Sequence, residues 1–328
     1  MDVLGDILST LQLRSTLYFR AELSAPFSIS VPEDRKVIRF HVANRGPCLV
    51  TLPTGEAARF EPGDLVLVPH GASHVLSDVS RQAPRPLGEV LQESGFDGSG
   101  PLVFGGGGEQ TVIVCGYFAF AHDALHPVIA SLPALIHLPA MAKRSYVWLE
   151  QLVSYMEGES HEQSEAWGEI VRRVAEILFI HVLRAYMGTH PNSTAALLAL
   201  GDPQIGKTLA LIHADPTRDW SINALAAQAA MSKTVYAERF RHMLGTTPGK
   251  YLVDWRMHKA RALLDRGDLS VKHVAWEVGY ESETAFNRVF REHFGITPGR
   301  FRTRGALAAG DDQDSRAIAA SVTSPGKS

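Results

Sequence analysis

The last third of this 328-residue chain repeats itself, and that repeat limits the fold more than any other feature. Ser232, Tyr236, Phe240, Gly245, Thr247, Pro248, Gly249, Lys250 and Tyr251 recur 50 residues later as Ser282, Phe286, Phe290, Gly295, Thr297, Pro298, Gly299, Arg300 and Phe301. Ahead of the serines the offset falls to 49, with Leu225-Ala226 matching Val274-Ala275 and Met231 matching Tyr280. The second unit therefore carries one extra residue, Glu281, in its turn. Each unit predicts a short helix (Ser221 to Ala229; Ser270 to Val278), a tight turn, and a second helix capped by Ser232 or Ser282. Gly279 suits the turn of the second unit, while Ala230 in the first tolerates a positive φ less well. Tyr236 and Phe240, or Phe286 and Phe290, lie at i and i+4 and would be buried, leaving the opposite helix face free for a DNA major groove. Between the units, Pro248 to Leu264 reads as one helix with proline in its first turn. A helix of that length spans roughly 25 Å, which suits two reading helices held about one DNA turn, roughly 34 Å, apart.

The charge distribution agrees with a double-stranded DNA partner. Net charge is −3, but Pro203 to Arg304 holds 16 Lys/Arg against 10 Asp/Glu, and the rest of the chain 16 against 25. A basic module thus rides on an acidic one. Composition is that of an ordinary globular protein, with no apolar run long enough for a membrane span. Met1-Asp2-Val3-Leu4-Gly5-Asp6 lacks the basic region of a secretory signal, and two cysteines fit a reducing cytoplasm better than a disulfide framework.

Trp220 to Arg302 resembles the AraC/XylS DNA-binding domain. The residues that carry the resemblance include Leu225-Ala226, Met231-Ser232, Arg239-Phe240, Gly245-Thr246-Thr247-Pro248, Trp255-Arg256-Met257, Ala260-Arg261, Val278-Gly279-Tyr280, Phe286, Arg288, Phe290 and Phe294-Gly295-Ile296-Thr297-Pro298. It implies base-facing positions at Lys233, Thr234, Ala237 and Glu238 in the first unit, and at Glu283, Thr284, Asn287 and Arg288 in the second. Arg241 and Arg291, further along, are expected on phosphate. Ala237 offers apolar contact, for instance to a thymine methyl, and Glu238 could accept from cytosine N4. The same residues leave a rival open: Glu238, Glu283 and Ala230 would suit a DNA module that has lost specificity. An activator of this kind would have promoter DNA and RNA polymerase as partners.

Up to about Phe120 the chain reads as short strands bounded by Gly and Pro, among them residues 37–42, 48–52, 65–68 and 111–118. This pattern suggests an all-β barrel or sandwich. Gly105-Gly106-Gly107-Gly108 has no helix after it and reads as a flexible hairpin loop closing a polar segment from Ser80 to Gln110. Gly63 to His74 resembles the second cupin motif, with His74 pointing inward and His70 at the turn. Only His41 stands where cupin enzymes place their first ligand cluster, so no metal or other cofactor is expected, and His41 and His74 are candidates for lining a ligand pocket. The first 200 residues look like the sensor half of a cupin-containing AraC subgroup, some of whose members respond to reactive chlorine through cysteine oxidation. That resemblance makes Cys115 a candidate redox residue, with a small molecule or an oxidant as effector; Cys48, whose position matches no sensing cysteine of such relatives, could partner it.

The expected fold class is α+β: a cupin-like β-barrel or sandwich over 1–140, a helical connecting region over 141–200, an all-α domain with two helix-turn-helix motifs over 201–304, and a disordered tail over 305–328. Within the connection, Trp167, Ile170, Val171, Val174, Ile177, Leu178, His181 and Val182 keep helical spacing, and a second helix is expected near Tyr146 to Met156. Such a helical pair would either form a homodimer contact or pack on the sensor. Gly201-Asp202-Pro203-Gln204-Ile205-Gly206-Lys207-Thr208 matches a P-loop letter for letter, but Ala195 to Leu200 ahead of it lacks the β-branched residues of a strand, so a nucleotide site is not expected. The rival in another class is a metal-dependent cupin enzyme with a helical appendage.

Overall fold

The structure, a computed structural model, describes residues 3–10, 13–35, 37–80, 82–97, 100–120, 127–139, 167–189 and 195–308. The chain divides into two compact units, one built on strands and one on helices.

The strand unit contains β1 (Leu13–Ser24), β2 (Ser28–Val31), β3 (Val37–Arg45), β4 (Cys48–Thr51), β5 (Ala57–Phe60), β6 (Leu65–Val68), β7 (His74–Ser77), β8 (Arg85–Pro86), β9 (Leu102–Gly105), β10 (Gln110–Phe120) and β11 (Ile136–Leu138). They form two open sheets, ordered β11-β6-β3-β10-β1-β9 and β5-β4-β7-β2-β8, so the architecture is a sandwich rather than a closed barrel. Alternation supplies the core. Ala21, Leu23, Ala43, Val66, Val68, Ile113 and Cys115 of the larger sheet join Ile29, Val31, Val50, Phe60 and Leu76 of the smaller in one buried cluster.

The other face of the larger sheet is covered too. Ile38, Phe40, Val42 and Phe118 are buried, Phe118 stacks on Phe40 at 5.0 Å, and Phe179 of helix α4 (Trp167–Thr189) lies 5.0 Å from Phe118. This two-sided cover explains why Leu65-Val66-Leu67-Val68 reads as an unbroken apolar run with all four residues buried. α4 is the amphipathic helix that the spacing predicts; the helix expected near Tyr146 to Met156 lies outside the described residues.

The four-glycine stretch is not a flexible hairpin loop. β9 and β10 do not pair; β1 lies between them, parallel to β9 and antiparallel to β10. The glycines cross the end of β1 at close quarters: Gly106 N–H donates to Ser24 O, Gly108 N–H to Ala25 O, and Ala25 N–H to Glu109 O. A Cβ at Gly105 would sit 1.9 Å from Ser24 O and one at Gly106 2.4 Å from Pro26 Cδ. Glycine is there for close backbone approach. The polar segment before it holds helix α2 (Leu87–Glu93) as well as β8 and β9.

The helical unit contains α5 (Ala195–Gly201), α6 (Ile205–Ala214), α7 (Ile222–Gln228), α8 (Lys233–Leu244), α9 (Pro248–Arg266), α10 (Val271–Glu277), α11 (Glu283–Phe294) and α12 (Pro298–Ala308). It does not coincide with the block 201–304 expected from sequence. α1 (Val3–Thr10) and α3 (Pro127–Ala130) also belong to it, and α12 runs to Ala308 where a disordered tail was expected to begin at 305; the remainder of that tail lies outside the described residues. α1 is held by His213 of α6, whose Nδ1–H donates to Asp6 at 2.9 Å while Tyr251 O–H donates to its Nε2 at 2.7 Å, with Trp255 stacked on the ring at 4.0 Å. Burial keeps His213 below its ordinary pKa and hence neutral, so with Nδ1–H on Asp6 its Nε2 accepts from Tyr251.

Candidate nucleic-acid interface and buried polar cluster

The repeat folds twice into the same object. Ser221 caps α7 and Ser270 caps α10; Ser232 accepts from Val235 N–H at 3.4 Å to open α8, and Ser282 from Ala285 N–H at 3.3 Å to open α11. The turns are built alike: Met231 N–H donates to Ala226 O and Tyr280 N–H to Ala275 O. Ala230 reaches φ 52° and Gly279 φ 84°, so the alanine adopts the left-handed conformation its counterpart takes without a Cβ. α9 begins with Pro248, as the spacing predicts, and runs to Arg266.

On α8 and α11 alike the apolar face is inside. Tyr236, Phe240 and Leu244 of α8 are buried, as are Phe286 and Phe290 of α11. The opposite faces carry the expected contact residues. Lys233, Thr234, Glu238 and Arg241 are exposed with Ala237 half-buried; Glu283, Thr284, Arg288 and Arg291 are exposed with Asn287 half-buried. Val235, which the sequence reading did not single out, is 52% exposed on the same turn of α8.

Arg239 is adjacent to Glu238 but points elsewhere, pairing with Asp202 Oδ2 at 2.5 Å. Asp202 Oδ1 in turn accepts from Gln204 N–H and Ile205 N–H. The P-loop-like letters therefore run from the end of one helix, α5, into another, α6, and their acid bonds N–H groups at the start of α6 instead of belonging to a strand-to-helix phosphate cradle. Asp202–Arg239 and His213–Asp6 were not visible in sequence, because each pair is separated by 37 or 207 residues.

Inside the sandwich, His41 of β3, Cys115 of β10 and His74 of β7 meet. His41 and Cys115 are register partners in the larger sheet, and His74 reaches them from the smaller. His74 Nδ1 lies 2.9 Å from Ala72 O, the two imidazole Nε2 atoms are 2.9 Å apart, and His41 Nδ1 is 3.2 Å from Cys115 Sγ. The carbonyl can only accept, so His74 Nδ1 carries a hydrogen, and with both rings neutral the remaining protons follow in order. His74 Nδ1–H donates to Ala72; its Nε2 accepts from His41 Nε2–H; His41 Nδ1 accepts from the Cys115 S–H. Burial lowers the His74 pKa to about 4 and holds His41 well below its ordinary value, so both rings stay neutral as this chain requires. Burial raises the Cys115 thiol, and Cys48 to about 12, while the Arg39 charge pulls Cys115 the other way.

The metal of cupin enzymes does not fit these residues. Both nitrogens of His41 and of His74 are engaged with protein atoms, and His70 Nε2 lies 2.7 Å from Leu132 O. Among the described residues no group of three or more His, Cys, Asp or Glu is placed to hold an ion. Also among them, no helix is long and apolar enough to cross a membrane.

Two helix-turn-helix units joined by one helix, in a chain that also folds a strand sandwich, define the class of DNA-binding transcription regulators. The chain belongs to the AraC-like transcription regulators with a cupin N-terminal domain: the cupin family model matches residues 2–188 and a helix-turn-helix domain model residues 225–304. It is 30% identical over 305 residues to a putative AraC-like transcription regulator of Streptomyces antibioticus, covering 92% of this chain and 98% of the relative. It is 29% identical to the RCS-specific HTH-type transcriptional activator RclR of Escherichia coli, covering 82% and 85%, and 27% identical to the transcriptional regulator AlkR of Acinetobacter baylyi, covering 92% and 99%. Among solved structures, the DNA-binding domain of AdpA in complex with a target DNA matches 31% of this chain and 93% of its own length at 29% identity, with a TM-score of 0.30.

Proposed function

We propose that this regulator reads two adjacent major-groove segments with α8 and α11 and activates transcription in response to a small molecule or oxidant sensed by the cupin unit. The observation that carries the reading is the division of the two helices: aromatic faces inside, and Arg241, Arg288 and Arg291 outside, their guanidinium groups in no ion pair or hydrogen bond with other described residues. Cations left free on matched helices are what phosphate and base edges need. Lys233, Thr234, Ala237, Glu238, Glu283, Thr284, Asn287 and Arg288 are the base-facing set, with Arg241 and Arg291 on phosphate.

Cys115 is the sensing residue of this proposal, with His41 and His74 lining its surroundings. Its support is the S–H···His41 contact and the RCS-specific name of a relative that is 29% identical. The protein acts as a regulator and not as an enzyme, since every base in the buried cluster is already occupied. RNA polymerase is its partner at the promoter. It works in the cytoplasm, where its two free cysteines stay reduced, and α4, with Ile177 44% exposed, is the homodimer contact.

Gel-shift titration of Arg288→Ala tests the reading, using duplexes selected by the wild-type protein from a random library. A loss of about 1–3 kcal/mol, roughly 5- to 150-fold in affinity, is expected with the fold intact. Unchanged affinity for those duplexes would remove Arg288 from the interface.

A further inference from the structure

We infer that Arg256 is a positioning residue that locks the two reading heads at one separation, so that this protein accepts operators of a single spacing. The inference rests on the two-headed DNA reading above. Arg256 projects from the middle of α9, the helix that runs through both units. Its Nε–H donates to Pro216 O at 2.7 Å, and Nη2 donates to Thr217 O and Arg218 O, each at 3.1 Å. Those three carbonyls belong to the segment that leads into α7 of the first helix-turn-helix. The same guanidinium lies 5.6 Å from the ring centroid of Tyr280, in the turn of the second. One side chain therefore bridges both units.

Its receptor is a built structure. Asp215 Oδ1 accepts from Thr217 Oγ1 at 2.6 Å and Arg218 N–H at 3.2 Å, Trp220 Nε1–H donates to Asp215 O at 2.9 Å, and the Arg218 guanidinium covers the Trp220 ring at 4.2 Å. The second unit also touches this segment directly: a Cβ on Gly279 would stand 2.7 Å from Thr217 Cα and 3.1 Å from Arg256 Nη2. Without the bridge the heads are joined by a single helix and the close approach of Gly279 to Thr217, and long helices curve gently. Several donors in a rigid plane, meeting three fixed carbonyls, restrain that curvature in a way a flexible ammonium cannot.

Spacing is the readout that separates positioning from mere stability. Duplexes selected by the full-length wild-type protein would be remade with one base pair inserted between the two protected segments, which moves them about 3.4 Å further apart and rotates them by roughly 35°. Wild type is expected to lose at least about 30-fold on the insertion. Arg256→Ala should bind the original duplex about 3- to 10-fold more weakly and lose less than about threefold on the insertion, with Arg256→Lys between the two. Arg256→Lys keeps the charge and the aliphatic stem, so it supplies the comparison if the alanine variant does not fold. Equal spacing discrimination in wild type and a folded variant would overturn the inference, as would a wild type indifferent to the insertion. Failure of the wild type to select any duplex would instead overturn the DNA reading beneath it.

Discussion

Acid should weaken the sandwich through its buried histidines, and one substitution isolates the cause. His74 titrates at about 4 in the folded protein against an ordinary 6.5, because burial penalises its charged form. Below pH 6.5 the unfolded chain binds a proton that the folded chain refuses, so this contribution is present above about 6.5 and is lost as pH falls toward 4. Between pH 7.5 and pH 5 the two pKa values give a loss of about 2 kcal/mol from His74 alone. His41 shifts in the same direction, again first by burial and then by the facing His74 and Arg39, and adds to the slope. His74→Gln keeps an acceptor for His41 Nε2–H but cannot titrate. The variant should be less stable at pH 7.5 by about 1–2 kcal/mol for its lost bond to Ala72, yet lose about 2 kcal/mol less than wild type on acidification. The assay is urea unfolding at both pH values, scored by a pulse of 4,4′-dithiodipyridine. Cys48 and Cys115 are the only cysteines of the chain and both are buried in the sandwich, so thiol reactivity reports this unit alone. Equal acid losses in wild type and His74→Gln would refute the protonation scheme drawn for the cluster.

Three further outcomes are expected. Cys115→Ser should leave DNA binding intact and abolish any transcriptional response to hypochlorite in cells; a variant that still responds would remove Cys115 as sensor. Ala230→Gly should raise the stability of the helical unit by about 1 kcal/mol in thermal melts, since φ 52° is strained for a Cβ-bearing residue and free for glycine. Phe290→Ala should cost about 3–5 kcal/mol, because the ring is fully buried among Phe286, Phe294 and Phe301; a smaller loss in urea titration would mean the cavity collapses.

The parts of this protein legible in its sequence are those set by local chemistry. Serine caps, the glycine or alanine of each turn, the i and i+4 aromatics and the proline opening α9 are all written within a dozen residues of where they act, and the structure has them as read. The strand blocks were legible through β-branched content, but sheet order was not: pairing of β1 with both β9 and β10 depends on contacts some 80 to 100 residues apart, which made a glycine crossing look like a loop. His41, His74 and Cys115 could be named individually from sequence. Their hydrogen-bonded order could not, since it arises where the two sheets face each other. The bridge from Arg256 and the seat of α1 at His213 left no local signal, because each joins side chains to segments far along the chain.

The central claim is that both helix-turn-helix units read DNA together, and hydroxyl-radical footprinting of the full-length protein on its selected duplexes tests it most directly. Two protected segments about one helical turn apart on one face of the duplex, the second lost in Arg288→Ala, are the predicted result. Protection of a single segment, unaffected by Arg288→Ala, would contradict the account.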